Sequence, residues 1–465
     1  MNRTRTTLVA LTAGAGLALS ACAPGGSGSD SDSSASPSPG AVKTDAAALG
    51  DVTLTVWDQE VRGGQAKQIE TLNADFQKKY PNIKIKRVSR SFDDLVKTLR
   101  LALTGADAPD VVQANNTRSQ MGEFVKAGQL VNLDPYAAAY GWDKRYPQSV
   151  RNVASYSPDG KTFGSGSLFG MPQVGEVVGI FYNDAKLKTL GITPPKTWAE
   201  FADAARKLHA ADPNVYLTNL AASGSGVWMG LAWQAGAKQF EYSGGEKICI
   251  SVNNEKSQKL ADYWGGLVKD GVVSTDPDFT DQWYQGLNQG KYATWLTAAW
   301  GPVFLSTSAK DTSGKWRAAP LPQWNAGENK AGNWGGSTSA VIKTTKNPIA
   351  AAKFAEFLNT DAESTMMLAT QQFLFPPTKS TLTNPTFVGQ KPEFYGGQQV
   401  NELFVQISGT VSTEFQWPPF MDQASNDWNE TVGKSFADKS DTGVALDQWQ
   451  ERVTSYAKSQ GFTVK

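Results

Sequence analysis

Residues 51–465 predict an α/β protein folded as two lobes. Apolar residues recur with period two, then with helical spacing, then with period two again, over nearly the whole length. A single hydrophobic core stops growing at ~250–300 residues, so a chain of this size divides. No stretch after residue 50 reaches the ~20 consecutive apolar residues that cross a bilayer.

The first fifty residues cannot fold by burial. Arg3 and Arg5 precede a mostly apolar run from Leu8 to Leu19, the form of a secretory signal. That run ends in Leu19-Ser20-Ala21-Cys22, which resembles the bacterial lipobox. The resemblance implies removal of residues 1–21 and acylation of Cys22. Residues 22–50 then read as the lipidated cysteine and a disordered tether of Ser, Gly, Pro, Asp and Ala. Such a tether reaches ~30 Å, and stable anchoring takes more than one acyl chain.

The folded part opens with a strand, "DVTLTVW" (51–57). A helix follows in "QAKQIETLNADFQKKYP", where Ile69, Leu72 and Phe76 share a face and Tyr80-Pro81 closes it. "NIKIKRVS" is the second strand. "SFDDLVKTLRLALTG" is a helix with Ser91 as N-cap and Asp94 at capping-box distance. "PDVVQANN" is the third strand, and this order at this spacing implies a parallel sheet flanked by helices. Later strands are expected at "VVGIFYN", "YATWLTAAW" and "TSAVIK". Helices are expected at "TWAEFADAARKLHA", "QKLADYWGGLVKDG", "DQWYQGLNQG" and "NPIAAAKFAEFLNT".

Composition narrows the chemistry. Lys+Arg number 44 against 44 Asp+Glu, and loss of residues 1–21 removes only Arg3 and Arg5, so there is no basic footprint for nucleic acid. With Cys22 acylated, Cys249 alone remains and no internal disulfide can form; in "GEKICISVNN" it reads as a strand residue. His209 is the sole histidine, which excludes histidine-based zinc sites; it reads as a helix-end residue. Gly160-Lys161-Thr162 and Gly433-Lys434-Ser435 have Ser155 and Trp428 where a phosphate loop needs glycine. No nucleophile elbow, H-E-x-x-H pair or calcium loop occurs. No metal or cofactor is expected. A glycosidase's carboxylate pair stays open, because its members need not be sequence neighbours.

The chain has 15 tryptophans. An indole offers a flat apolar face and one N–H, the complement of a sugar ring's C–H face and hydroxyl rim. Trp198, Trp264 and Trp449 fall at helical spacing with other apolar residues and read as core. Trp57, Trp228, Trp300, Trp334 and Trp417 lie beside Gly, Pro or polar residues at strand or loop ends. Open α/β sheets bind ligands beyond the carboxyl ends of their strands. Trp57-Asp58-Gln59-Glu60 and Gln113-Ala114-Asn115-Asn116 fall at such ends.

From Asp51 onward the chain resembles extracellular solute-binding protein family 1, the sugar receptors of ABC importers. The segments "LTVWDQE", "FQKKYPNIKIK", "APDVVQANN", "GMPQVGEVVGIFYN", "PPKTWAEF", "GLNQGKYATWLTAAWGP" and "WGGSTSAVIK" carry it in order. The resemblance implies the two-lobed periplasmic-binding-protein fold, hinged, with the ligand cleft between the lobes. The first lobe would be 51–172 plus 316–346, and the second 173–315 plus 347–465. It implies a non-enzymatic, monomeric receptor on the extracellular face of the cell membrane, held by its lipid anchor and read by permease subunits, with the ATPase on another chain. Carried over by segment, the ligand-reading positions would be Trp57, Asp58, Gln59, Glu60, Asn115, Asn116, Glu176, Trp228, Trp300, Trp334, Trp417 and Asp422. Val303 stands where a Gly-Pro-Trp motif has its tryptophan, and Trp300 precedes that motif. A di- or oligosaccharide such as xylobiose, a cello- or a malto-oligosaccharide is the expected cargo. A non-sugar solute, or a surface glycoside hydrolase, is the alternative.

Overall fold

A computed structural model describes residue 42 and residues 45–465, apart from 62, 106, 116–119, 160–163, 174–176, 243–245 and 372–373. The described residues lie within one compact unit. Its first sheet has five strands, in the order Ile83–Ser89, Val52–Asp58, Val111–Asn115, Ser337–Val341, Met171–Pro172. The first three run parallel, as their connecting helices Gly63–Lys79 and Phe92–Ala102 require. Ser337–Val341 is antiparallel to both of its neighbours.

Burial explains the arrangement. Leu54 and Val56 of strand Val52–Asp58 pack with Ile69, Leu72 and Phe76 of the first helix, and Phe76 meets Phe354 edge-on at 5.1 Å. Ser91 caps the second helix by accepting from the Asp94 amide; its hydroxyl donates to the Asp94 carboxylate at 2.7 Å.

The second group of elements surrounds a three-stranded antiparallel sheet, Thr294–Ala298, Val178–Asn183 and Trp316–Pro320. Its helices bury large aromatics: Trp198, Trp264 and Trp449 are core residues, and Trp198 meets Trp264 at 5.4 Å. Helix Trp198–Ala211 starts with a full capping box between Thr197 and Glu200. Cys249 lies in strand Lys247–Ile250, half-buried, and His209 in the last turn of its helix, its Nδ1 3.0 Å from the Val215 carbonyl.

Three expectations change. Trp316–Pro320, expected in the first lobe, pairs along its whole length with Val178–Asn183 of the other group. Helix Pro348–Thr360, expected in the second, buries Ala350, Phe354 and Ala355 with the first sheet, and Asn359 donates to Ser339 Oγ at 2.8 Å. Residues 45–50, expected in the tether, are part of the fold. Ala46–Leu49 forms one 3-10 turn, Ala46 is buried, and Asn82 donates to the carbonyls of Ala46 and Gly50.

Segment 333–339 spans the two groups, with antiparallel pairings to both. Met171 pairs with Ser339 and Val177 with Asn333. Gly335 and Gly336 adopt φ of 106° and 103° within this segment, a conformation closed to side-chain-bearing residues. Among the described residues no helix is long and apolar enough to cross a membrane.

Candidate functional site

The carboxyl ends of Val52–Asp58 and Val111–Asn115 reach one edge of the first sheet, where Ser337 begins its strand opposite Asn115. Gln113 ties this edge together. Its Nε2 donates to Glu60 Oε1 at 2.9 Å and to Ser337 Oγ at 3.2 Å, and its Oε1 accepts from the Gln59 amide at 3.1 Å. Glu60 and Gln113 are buried, while Gln59 and Asn115 are half-exposed. The result is a polar ledge of amide and carboxylate groups held in place by one glutamine. Gln113 was not among the expected ligand-reading positions. Period-two spacing from Asn115 was the signal, since it puts both on one face of the strand.

Asp58 is committed elsewhere. Its carboxylate accepts from Arg87 Nε at 2.6 Å and Nη2 at 2.9 Å, from Ser89 Oγ at 2.8 Å and from the Glu60 amide at 3.0 Å. These bonds fix the turn that carries Glu60, so Asp58 positions the ledge and is not displayed on it. Glu60 also lines a cavity of about 490 Å³, with Ala66, Glu70, Asn73, Ile85, Arg87 and Ser89 among its walls. All its walls come from residues 60–89, so it belongs to one group of elements and not to the seam between the two. Trp57 is buried beneath Arg90, whose guanidinium lies 4.4 Å from the ring centre.

Trp300 and Trp334 are both half-buried. Trp300 ends the turn after Thr294–Ala298 and leads into helix Gly301–Ser308, whose Pro302 suits a helix's first turn. Its indole N–H donates to the Trp334 carbonyl at 3.3 Å, and the two rings meet at 5.1 Å and 73°. Trp300 packs against both the core of the first sheet and that of the second. Val303 is buried, so Trp300 is the indole of this stretch that reaches the surface. Trp334 rests on Gly226 of helix Ser225–Ala235, where an added Cβ would lie 2.0 Å from its Nε1.

Other expected positions do not gather here. Trp228 is fully buried between Trp428 and Phe436, on a face of helix Ser225–Ala235 that packs into the core. Trp417 is buried against Trp233 and Phe415. Both are core, not surface platforms. Asp422 lies 3.4 Å from Arg100, which also holds Glu123 at 2.5 Å. Burial raises the Glu123 pKa, and the charges of Arg100 and Lys126 oppose that shift. Asn116, Glu176 and Cys22 lie outside the described residues. Among the described residues no three His, Cys, Asp or Glu side chains are grouped to hold a metal ion.

Residues 59–364 match the model of the bacterial extracellular solute-binding protein family. The chain belongs to that family. The family is one of receptors and not of enzymes. The arabinooligosaccharide-binding protein of Bacillus subtilis is 24% identical to this solute-binding protein over 69% of its chain and 72% of the relative. The maltodextrin-binding protein MdxE of the same organism is 26% identical over the same shares. Among solved structures, an ABC-transporter-associated binding protein of B. animalis subsp. lactis, in complex with β-1,6-galactobiose, superposes with a TM-score of 0.78 at 25% identity. It covers 89% of this chain and 99% of that one. The fold is that of the two-lobed periplasmic solute-binding proteins.

Proposed function

We propose that this solute-binding protein captures a di- or oligosaccharide between its lobes and delivers it to the permease of an ABC importer. The observation that carries the reading is the half-exposed Trp300–Trp334 pair, whose Trp334 stands three residues before Ser337, the hydroxyl bonded to Gln113 of the polar ledge of Gln59, Glu60, Gln113 and Asn115. Indole faces take a sugar's C–H face, and amides and a carboxylate take its hydroxyls. Unmet buried polar groups cost ~1–3 kcal/mol each, which gives such a ledge its selectivity. The oligosaccharide-binding relatives support the same class of cargo. One lobe is built on the five-stranded sheet with Pro348–Thr360, and the other on the three-stranded sheet that includes Trp316–Pro320. Asn116 and Glu176 are further candidates for the cleft.

Calorimetric titration of the purified chain with xylo-, cello- and malto-oligosaccharides tests this. Binding of at least one series is expected, with Trp300→Ala and Trp334→Ala each weakening it on the order of two- to tenfold, the worth of one stacked ring. Silence with every sugar would sink the carbohydrate reading. Binding indifferent to both tryptophans would point to a non-sugar solute.

The lipobox-like Leu19-Ser20-Ala21-Cys22 supports a lipid anchor at Cys22 on the extracellular face of the membrane. Cys22→Ala should move the protein from the membrane fraction to the medium. Retention at the membrane would reject the anchor.

A further inference from the structure

Phe279 stands out on two independent grounds. It is 38% exposed and the one aromatic among the exposed large apolar side chains of the described residues. It also holds φ of 58°, a left-handed conformation that a bulky side chain rarely adopts. Such strain persists only where surrounding bonds impose it, and they are present on both sides. Upstream, Asp276 accepts from Lys291 Nζ at 2.6 Å and from the Tyr292 hydroxyl at 2.5 Å, its amide donates to Ser274, and its carbonyl accepts from Asn219. Downstream, Thr280 caps helix Asp281–Gln289 by accepting from the Trp283 amide.

The imposed conformation sends the ring to one place. Its centre lies 6.1 Å from Trp300, 5.5 Å from Phe304, 5.8 Å from Trp283 and 6.0 Å from Trp295. Four rings thus pack around Phe279, which still keeps 38% of its surface open to solvent. Its support includes Trp300, the indole proposed to carry sugar, so the exposed aromatic surface continues from the site outward. An apolar residue serving only the core would gain nothing from this exposure or from the strained backbone.

We propose that Phe279 is a further stacking platform, carrying the pyranose unit next to the one on Trp300, and that it sets a preference for longer oligosaccharides. This rests on the carbohydrate reading above. The ligand class is a linked chain of pyranose rings, each offering a C–H face.

The test compares the wild-type chain with Phe279→Asn, Phe279→Ala and Phe279→Tyr. Asparagine tolerates the left-handed backbone, so that variant removes the ring and not the turn; melting curves verify that each variant folds. Each protein is titrated with the disaccharide and the tetrasaccharide of the xylo, cello and malto series. The wild type should favour the tetrasaccharide of the series it binds. Phe279→Asn and Phe279→Ala should shrink that tetrasaccharide-to-disaccharide affinity ratio by about three- to tenfold, and Phe279→Tyr should restore it. An unchanged ratio in the Asn variant, whether affinities hold or fall equally, would overturn the proposal. A wild-type chain that binds no sugar would overturn the carbohydrate reading itself, and this proposal with it, an outcome distinct from the variant's failure.

Discussion

Gly226 is the residue on which the placement of Trp334 depends. A Cβ there would approach Trp334 Nε1 to 2.0 Å and Cδ1 to 2.7 Å, so alanine forces the indole away. One turn on, Gly230 lets its own carbonyl come so near Gly332 that a Cβ on Gly332 would sit 1.9 Å from it. Alanine is better than glycine inside a helix by about 1 kcal/mol, so the local propensity of Gly226→Ala favours folding while the contact opposes it. The expected outcome is a two- to tenfold loss of oligosaccharide affinity, read by calorimetry, alongside a smaller change in melting temperature. Unchanged affinity would mean that Trp334 does not touch the ligand. The same helix accounts for Trp228. The sequence "SGVWMGLAW" is apolar all round, and Gly226 and Gly230 mark the face that meets segment 332–334. Trp228, two residues from each, turns away from that face into the core.

At the scale of elements, the parallel half of the first sheet was legible because its signals are local. Period two gives way to helical spacing and back again, with Ser91 and Pro81 as punctuation. Strand Trp316–Pro320 carries no alternation of its own strong enough to choose a sheet, and only its register with Val178–Asn183 decides where it belongs. Helix Pro348–Thr360 was legible as a helix but not as a neighbour of Ser339, since its apolar residues fit either core. The candidate site divides in the same way. Gln59, Glu60 and Asn115 could be found because strand ends are readable. The engagement of Asp58 by Arg87 could not, because two residues 29 apart meet only through strand pairing. Residues 45–50 resemble the preceding low-complexity segment in composition, yet one alanine and a pair of asparagine hydrogen bonds fasten them to the fold.

Across the whole molecule, Arg100 and Lys126 reach from the first group of elements to the second. Arg100 meets Asp422 at 3.4 Å, and the Lys126 ammonium lies 5.4 Å from the ring centre of Phe462. Arg100 is well exposed, so a pair of this kind is worth ~0–1 kcal/mol and is screened by salt. Asp422→Asn leaves the Arg100–Glu123 pair in place and removes the carboxylate charge that Arg100 meets across the groups. If that bond helps hold the lobes together, the variant should bind ligand up to about fivefold more weakly at low salt and almost equally near 1 M. A larger loss that salt does not erase would instead make Asp422 a ligand contact.

The antiparallel strand Ser337–Val341 has a consequence for the order in which the protein can be made. It is the fourth of the first sheet's five strands, yet Gln113 and its partner Ser337 are 224 residues apart in the chain. Emerging from the ribosome, residues 52–172 therefore present an open edge on Val111–Asn115 and leave Met171–Pro172 without the strand it pairs with among the described residues. Pairings this distant in sequence form late and slowly. A nascent chain cannot complete its five-stranded sheet until residue 341 has been synthesised, which leaves a long interval in which an export apparatus or a chaperone would find it still threadable.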